Sequence, residues 1–215
     1  MTRLLILGCG EFAVEALDIA EAAGTFETLG FVESLKRPAA GQRHAERPVF
    51  WVDELPYAPG ECTLVAAVGN TIERRTFVHA MQARGYAFAA IIHPSAVISP
   101  RAVVQAGSIV HAGAIVASNA MLGPHVIVNR GALIGHDVRI DAFATIGPGA
   151  NVAGGVTIGA CAYLGIGAVV SDHLPIGEES VVGAGAVVTR PVPPNVVVAG
   201  VPARVVQTGV AGLPR

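Results

Sequence analysis

A histidine next to a carboxylate, His136-Asp137, is the pair in this sequence best suited to general-base chemistry. A neutral imidazole can accept a proton, and an adjacent carboxylate can fix its tautomer and raise its basicity. An exposed His-Asp pair at a chain corner, without a catalytic role, fits the spacing equally well. The C-terminal part of the chain that contains this pair has few other ionisable residues that could take part in catalysis or metal binding. The main ones are His111, His125, His173, Asp141 and Asp172.

A glycine-rich segment, Gly8-Cys9-Gly10-Glu11-Phe12-Ala13, follows an apolar run near the N-terminus and precedes a helical pattern. Glycines at such a place let backbone N–H groups and a helix N-terminus approach a phosphate, and Glu33, further along, could accept hydrogen bonds from a ribose or base. A tight turn in any doubly wound sheet is the alternative. The N-terminal part of the chain, about 95 residues, is little longer than one mononucleotide-binding unit. We therefore expect its ligand to be a mononucleotide or nucleotide-sugar rather than NAD.

The secondary structure that must position these residues differs between the first part of the chain, up to about residue 93, and the rest. From Ile98 to Val188 an aliphatic residue recurs at every sixth position, and a small or β-branched residue follows each four places later, Leu174 excepted. A period of six fits neither a helix nor a flat strand. It predicts a parallel β-helix of hexapeptide repeats, with coils of about eighteen residues, each burying the apolar face of the next. Residues 98–188 would form about five coils.

The turn position of each hexad holds mostly glycine or residue types that tolerate positive φ. His125 and His173 occupy it, and we expect both to face solvent. No separation among His111, His125, His136 and His173 is a multiple of eighteen, so no two of them should stack one coil above another. We therefore predict no metal site of the kind built from stacked histidines.

Strands and helices alternate in the first half. Apolar runs predict strands at 3–8, 27–34, 63–69 and 86–92, and helical patterns predict helices at 11–24 and 71–85, the second starting from a cap at Thr71. This alternation predicts a small parallel sheet in a Rossmann-like α/β domain. The boundary at His93-Pro94 gives domains 1–93 and 94–215, the second ending in a C-terminal tail.

Composition excludes several classes of protein. Charged residues make up 14% of the 215, and the formal net charge is −2, so neither a nucleic-acid track nor a polybasic membrane patch is supported. No stretch reaches the roughly 18 to 20 apolar residues of a membrane-spanning helix. Cys9, Cys62 and Cys161 have no C-x-x-C spacing, and no cleavable leader follows Met1. We expect a cytoplasmic protein.

Five motifs occur in order along nearly the whole chain: the glycine loop, AVGN-x-x-x-R-R (67–75), IIHPSAVIS (91–99), IGHD (134–137) and GVPAR (200–204). Together with the repeat, they resemble the bacterial sugar O- and N-acyltransferases, of the sialic acid O-acetyltransferase, UDP-amino-sugar N-acetyltransferase and perosamine N-acetyltransferase type. In that family a nucleotide-binding domain precedes a left-handed β-helix. The resemblance thus implies the same two-domain, trimeric architecture here.

The resemblance also implies a reaction, the transfer of an acetyl group from acetyl-CoA to the amino group of a nucleotide-activated amino sugar. A sugar hydroxyl as acceptor, or a non-catalytic nucleotide-binding scaffold, is the alternative. The family's general base corresponds to His136, its adjacent acid to Asp137 and a sugar-contacting asparagine to Asn129. Nucleotide contacts carry over to Gly10, Glu11, Phe12, Glu33, Ser34 and Gly69. Acetyl-CoA contacts carry over to Thr145, Ile166 and Ala184.

This chain departs from the family's pattern at three places. Members often have a histidine where Thr145 stands, a second acid at Ser34, and Gly-His in place of Glu11-Phe12. The sugar, the nucleotide (UDP, GDP, CMP or none) and the choice between amine and hydroxyl stay open.

Direct attack in a ternary complex is the mechanism that we expect, with His136 as base and a backbone N–H near Gly154 stabilising the oxyanion. Cys161 is out of register with His136, which disfavours a covalent route through its thiol. An NAD-linked oxidoreductase is a further alternative, but the chain has no catalytic Lys/Tyr or Cys constellation and only one lysine, Lys36.

Overall fold

The computed structural model describes residues 1–212, which form an α/β part followed by a β-solenoid. The last three residues of the predicted second domain, 213–215, lie outside the described residues. Within residues 1–212 no helix combines the length and the apolarity required to cross a membrane.

The α/β part contains a six-stranded sheet with two helices. Its elements are β1 (Thr2–Leu7), α1 (Glu11–Ala23), β2 (Phe26–Glu33), β3 (Arg43–His44), β4 (Arg47–Trp51), β5 (Thr63–Ala66), α2 (Thr71–Ala83) and β6 (Ala87–Phe88). The strand order is β3-β4-β2-β1-β5-β6, and every pair is parallel except β3–β4. The alternation of strands and helices was predicted correctly.

Two local features of the α/β part differ from prediction. The β3–β4 hairpin was not predicted, because its turn uses Ala45 and Glu46 at positive φ instead of the glycine or asparagine that signals such turns. The cap of α2 is Asn70 and not Thr71: the Asn70 side chain accepts hydrogen bonds from the backbone N–H groups of Ile72 and Glu73, each 3.0 Å long.

The solenoid consists of two-residue strands, one on each side of a triangular coil. They are β7 (Ile91–Ile92), β8 (Val97–Ile98), β9 (Val103–Val104), β10 (Ile109–Val110), β11 (Ile115–Val116), β12 (Met121–Leu122), β13 (Ile127–Val128), β14 (Leu133–Ile134), β15 (Arg139–Ile140), β16 (Thr145–Ile146), β17 (Asn151–Val152), β18 (Thr157–Ile158), β19 (Tyr163–Leu164), β20 (Val169–Val170), β21 (Pro175–Ile176), β22 (Val181–Val182) and β23 (Val187–Val188). A hairpin of β24 (Val196–Ala199) and β25 (Arg204–Thr208) follows.

Three parallel sheets form the sides of the solenoid. Face 1 contains β7, β10, β13, β16, β19 and β22; face 2 contains β8, β11, β14, β17, β20 and β23; face 3 contains β9, β12, β15, β18 and β21. Strand partners are eighteen residues apart, as in Ile115↔Leu133. The predicted hexapeptide β-helix is thereby confirmed, although its first strand, at Ile91, precedes the start of the repeat that the sequence showed.

The axis of the solenoid is filled by the predicted aliphatic positions, packed with the small residues four places later in a continuous core. Leu122, Leu164 and Val182 are among those completely buried. Burial of this apolar column is the main force that holds successive coils together.

Face 1 is covered by the α/β part. Its outward-pointing Ile91, Ile109 and Ile127 pack in one core with the apolar side of α1, whereas the equivalent residues of face 2 are largely exposed. This second layer overturns the expectation that His125 faces solvent. The His125 ring is buried, 5.0 Å from the ring of Phe143 and 4.8 Å from that of Phe88, and burial, with the charge of Arg74, lowers its pKa to about 4. His173 is exposed.

A buried guanidinium joins the two parts. Arg74 of α2 is completely buried and donates hydrogen bonds to the carbonyl oxygens of Val68 (2.8 Å) and Phe143 (2.5 Å) and to Oγ1 of Thr145 (2.9 Å). Burial lowers its pKa to about 9, which leaves it protonated at neutral pH. Next to it, Arg75 forms a more exposed ion pair with Glu179, 2.9 Å long.

Replacing Arg74 should therefore destabilise the protein far more than replacing Arg75. Arg74→Met keeps the length of the side chain but leaves buried carbonyl groups without donors, which we expect to cost about 3 kcal/mol. Arg75→Met removes a partly exposed pair and should cost at most about 1 kcal/mol. Urea denaturation at one protein concentration measures both, and equal losses would contradict the assigned role of Arg74.

Candidate active site

His136 and Asp137 lie at the corner where face 2 passes into face 3, between β14 and β15. Nδ1 of His136 is 2.8 Å from Oδ2 of Asp137, and 66% of the imidazole side chain is exposed. Asp137 has a φ of +59°, and this left-handed backbone is typical of the solenoid's corners. The pair is therefore open to a ligand that approaches the corner from outside.

Two donors hold the Asp137 carboxylate. His136 and then Asn119, whose Nδ2 donates to Oδ1 over 3.0 Å, lower the pKa of Asp137 below its ordinary value. The carboxylate is therefore ionised at neutral pH and accepts the proton that a neutral His136 carries on Nδ1. That tautomer leaves the lone pair of Nε2 free to accept another proton.

Gly154 lies under the His136 ring, one coil further along the solenoid. A Cβ built on Gly154 would be 2.6 Å from Nε2 of His136. Among the sixteen hexads, only this one has glycine two places after its aliphatic residue; every other has a side chain at that position. The glycine is thus required by contact with the imidazole and not by the turn. Within residues 1–212 the N–H of Gly154 has no acceptor.

A separate cavity of about 430 Å³ lies in the α/β part, where β1 and β5 end and α1 and α2 begin. Three of the predicted nucleotide contacts, Gly10, Glu33 and Ser34, line it. Gly10 caps α1 without a side-chain hydrogen bond, so the first N–H groups of that helix remain available to an anion. Nearby, Gly8 brings β1 to within van der Waals distance of β5, where a Cβ would lie 2.8 Å from the carbonyl oxygen of Ala67.

Sequence reasoning missed the side of this cavity that α2 contributes. Ile72, Glu73, Thr76 and Phe77 line it. The contribution of α2 could have been predicted from the order of the elements, because α2 follows β5 just as α1 follows β1. Glu33 was predicted for ribose or base, and its Oε1 accepts hydrogen bonds from the backbone N–H groups of Ser34 (2.7 Å) and Leu35 (2.8 Å).

The other predicted nucleotide contacts lie outside the cavity lining. Glu11 and Gly69 are exposed, and the Phe12 ring stacks on His111 with 5.4 Å between centroids. Burial, followed by the charge of Arg130, lowers the pKa of His111 to about 4. His111 also borders a smaller hollow of about 280 Å³ beside α1, together with Glu15, Asp18, His93 and Arg130. Asn129, the predicted sugar contact, is buried and directly precedes Arg130.

The predicted acetyl-CoA contacts occupy two environments. Ile166 and Ala184 are exposed and stack one coil apart at the corner between face 1 and face 2. Thr145 points outward from face 1, but only 4% of it is exposed, because the α/β part covers it and Arg74 donates to its hydroxyl. The structure brings His136, Asp137 and Gly154 together, and it brings Gly10, Glu33 and Ser34 together.

Within one chain, these two groups lie on opposite sides of the solenoid. The α/β part with its cavity covers face 1, and the corner of His136 is the one opposite that face. Ile166 and Ala184 are at a different corner from His136, although both corners border face 2.

The cysteines are poor nucleophiles. Burial and then the charge of Glu33 raise the pKa of Cys9 to about 12, and burial likewise raises that of Cys161. Across the part of the chain that the structure describes, no three His, Cys, Asp or Glu side chains are grouped so that they could hold a metal ion.

Known structures resemble this chain over nearly its full length, although no protein-family model and no curated protein matches it. A variant of perosamine N-acetyltransferase from Caulobacter crescentus, in complex with CoA and GDP-perosamine, is 30% identical, with a TM-score of 0.85 over 95% of this chain and 97% of that one. The acetyltransferase domain of PglB from Neisseria gonorrhoeae, with acetyl coenzyme A, is 32% identical, with a TM-score of 0.88 and coverages of 95% and 98%. WeeI from Acinetobacter baumannii is 26% identical, with a TM-score of 0.86 and coverages of 96% and 100%. Fold, length and identity agree, and the chain belongs to the sugar acyltransferases with a hexapeptide-repeat β-helix.

Proposed function

We propose that this acyltransferase moves an acetyl group from acetyl-CoA to the amino group of a nucleotide-activated amino sugar, with His136 as general base. The observation that carries the proposal is the exposed His136 ring, hydrogen-bonded to Asp137 through Nδ1 and lying over Gly154. The bound CoA and GDP-perosamine of the C. crescentus relative support the substrate classes. The cavity at Gly10 and Glu33 is the nucleotide site of the proposal.

The chemistry follows from the side of His136 that faces solvent. Acetyl-CoA supplies a thioester whose carbonyl carbon is the electrophile. Nε2 of His136 accepts the proton that the sugar amine loses as its nitrogen bonds to that carbon, and the resulting imidazolium can return the proton to the departing thiolate. The unpaired N–H of Gly154 is available to the oxyanion. The ionised Asp137 stabilises the imidazolium between these two steps.

The proposal includes a homotrimer, because one chain cannot present its own nucleotide cavity to its own His136. Face 2 is uncovered, and its outward-pointing Val97, Ile115, Leu133 and Val169 are exposed apolar side chains, interrupted only by Asn151 between the last two. On face 3, the outward-pointing residues of the first two coils are apolar, but those of the next three coils are Arg139, Thr157 and Pro175. Three solenoids with face 2 turned toward a common axis would bring the His136 corner of one chain to the Ile166 corner of the next.

Loss of the imidazole should abolish most of the activity. His136→Ala is expected to lower kcat by at least about a hundredfold, because a general base contributes on the order of 10² to 10⁴ in rate. Because the ring is exposed, the fold and the oligomeric state should be unchanged. Steady-state acetyl transfer, with circular dichroism and light scattering as controls, tests this, and near-normal turnover would remove His136 from the mechanism.

Nucleotide binding should stabilise the chain through the cavity in the α/β part. Among UDP, GDP and CMP and their amino sugars, we expect at least one to raise the melting temperature by several degrees at saturation. Thr76→Trp places an indole in the cavity and should abolish that shift while the shift with acetyl-CoA persists. Ala80→Trp, one turn further along α2 and outside the cavity, is the matched control. A panel without any shift would contradict the nucleotide assignment.

Face 2 should be the surface through which the trimer forms. Leu133 on face 2 and Met121 on face 3 are almost equally exposed, at 38% and 39%. Leu133→Asp buries a charge in the proposed interface, and it should dissociate the trimer and lower acetyl transfer together. Met121→Asp should change neither. Light scattering reports the mass against the 21.9 kDa of one chain; a wild-type monomer, or the opposite ranking of the two variants, would be inconsistent with this interface.

A further inference from the structure

The side chain of Asn119 lies one coil before Asp137 and contacts the carboxylate that His136 contacts. Asn119 Nδ2 donates to Oδ1 of Asp137 over 3.0 Å, while Oδ2 faces Nδ1 of His136 at 2.8 Å. We propose that Asn119 is a positioning residue, which holds the Asp137 carboxylate in the orientation that keeps the His136 proton on Nδ1. This inference rests on the proposed role of His136 as the base.

The solenoid backbone brings the three residues together. Asn119 and Asp137 have nearly equal φ, +60° and +59°, and the N–H of Asp137 donates to the carbonyl oxygen of Ser118 over 3.0 Å. The two side chains therefore leave the corner in the same direction, one coil apart. Because each carboxylate oxygen has its own donor, rotation of the group about its Cβ–Cγ bond would break both hydrogen bonds.

Within residues 1–212, no other side chain forms a hydrogen bond or ion pair with the Asp137 carboxylate. Asp137 and His136 are both more than half exposed, so water competes for each hydrogen bond and the packing of neighbouring groups does not restrict the carboxylate. Among the positive-φ corners of the hexads, glycine is the residue that satisfies the backbone at least cost, and it stands at half of them. Asparagine meets the same backbone requirement and adds the amide donor, one coil from Asp137, which among residues 1–212 is the only aspartate with a positive φ.

The test is Asn119→Gly, which keeps the left-handed backbone free of strain and removes only the amide. Freed on one side, the carboxylate would rotate, and His136 would spend less time with its proton on Nδ1. We expect kcat to fall on the order of tenfold, with both KM values unchanged within about twofold. Asn195→Gly is the matched control, because Asn195 also has a left-handed backbone and donates its amide to other groups, Glu179 and the Val210 carbonyl. It should leave kcat unchanged.

A double-mutant cycle shows whether Asn119 acts through Asp137. Asp137→Asn alone should lower kcat, and Asn119→Gly should then cause no further loss in that background. Equal losses from Asn119→Gly in both backgrounds would overturn the inference and leave the base intact. If Asp137→Asn has no effect on kcat, the supporting role of Asp137 is wrong, and the inference fails with it.

A spectroscopic measurement tests the same point without turnover. In ¹⁵N-histidine NMR spectra of the ligand-free protein, His136 of the wild type should show the tautomer protonated on Nδ1, assigned by comparison with His136→Ala. Asn119→Gly should shift the His136 signals toward a mixture of tautomers, and Asn195→Gly should not. Unchanged His136 signals in Asn119→Gly would overturn the inference even if His136 proves essential to catalysis.

Discussion

The eighteen-residue register of the solenoid is the constraint on which the site depends. Parallel backbone hydrogen bonds and the aliphatic axis hold each coil at one rotation relative to the next. Side chains eighteen residues apart therefore stand in columns, and this alone brings Asn119 to Asp137 and Gly154 to His136. No helix or loop is needed to assemble the group. The site is rigid because each coil of the solenoid is hydrogen-bonded to the coils on either side of it.

The second constraint is the place of the α/β part. By covering face 1 it buries Arg74, a cation whose desolvation is costly and whose hydrogen-bond acceptors within residues 1–212 are carbonyl and hydroxyl oxygens. That arrangement fixes the cavity of the α/β part relative to the solenoid, because Arg74 donates to the Val68 carbonyl at the cavity and to the Phe143 carbonyl in the solenoid. The same rigidity keeps the cavity away from the chain's own His136 corner. A rigid junction of this kind favours completing the site between chains over domain movement within one.

The repeat made the solenoid predictable, because inward and outward positions are set by the six-residue period and by the sizes of the residues. The period does not reveal which outward face another layer covers. For that reason His125 was misassigned to solvent, and the burial of Thr145 was not foreseen. His136-Asp137 could be picked from its residue types and Gly154 from the coil register. The same register places Asn119 beside Asp137, but the hydrogen bond between them could not be predicted, because it depends on the direction in which the two corner side chains point. The roles of all these residues in catalysis stay predictions.

The lining of the cavity proposed to bind the nucleotide limits how a nucleotide-sugar could be held there. No lysine, arginine or histidine is among its lining residues, whereas Glu33 and Glu73 are. A diphosphate there would depend on the backbone N–H groups at the start of α1, an interaction weaker than that with an arginine clamp. Ile72 and Phe77 offer apolar contact to a base, so most of the affinity would come from the nucleoside. In the proposed trimer, the sugar would extend beyond the chain that binds it, and the neighbouring chain's His136 corner would position its acceptor nitrogen. Under this arrangement nucleotide affinity and acceptor geometry are controlled by different surfaces, and each can change without disturbing the other.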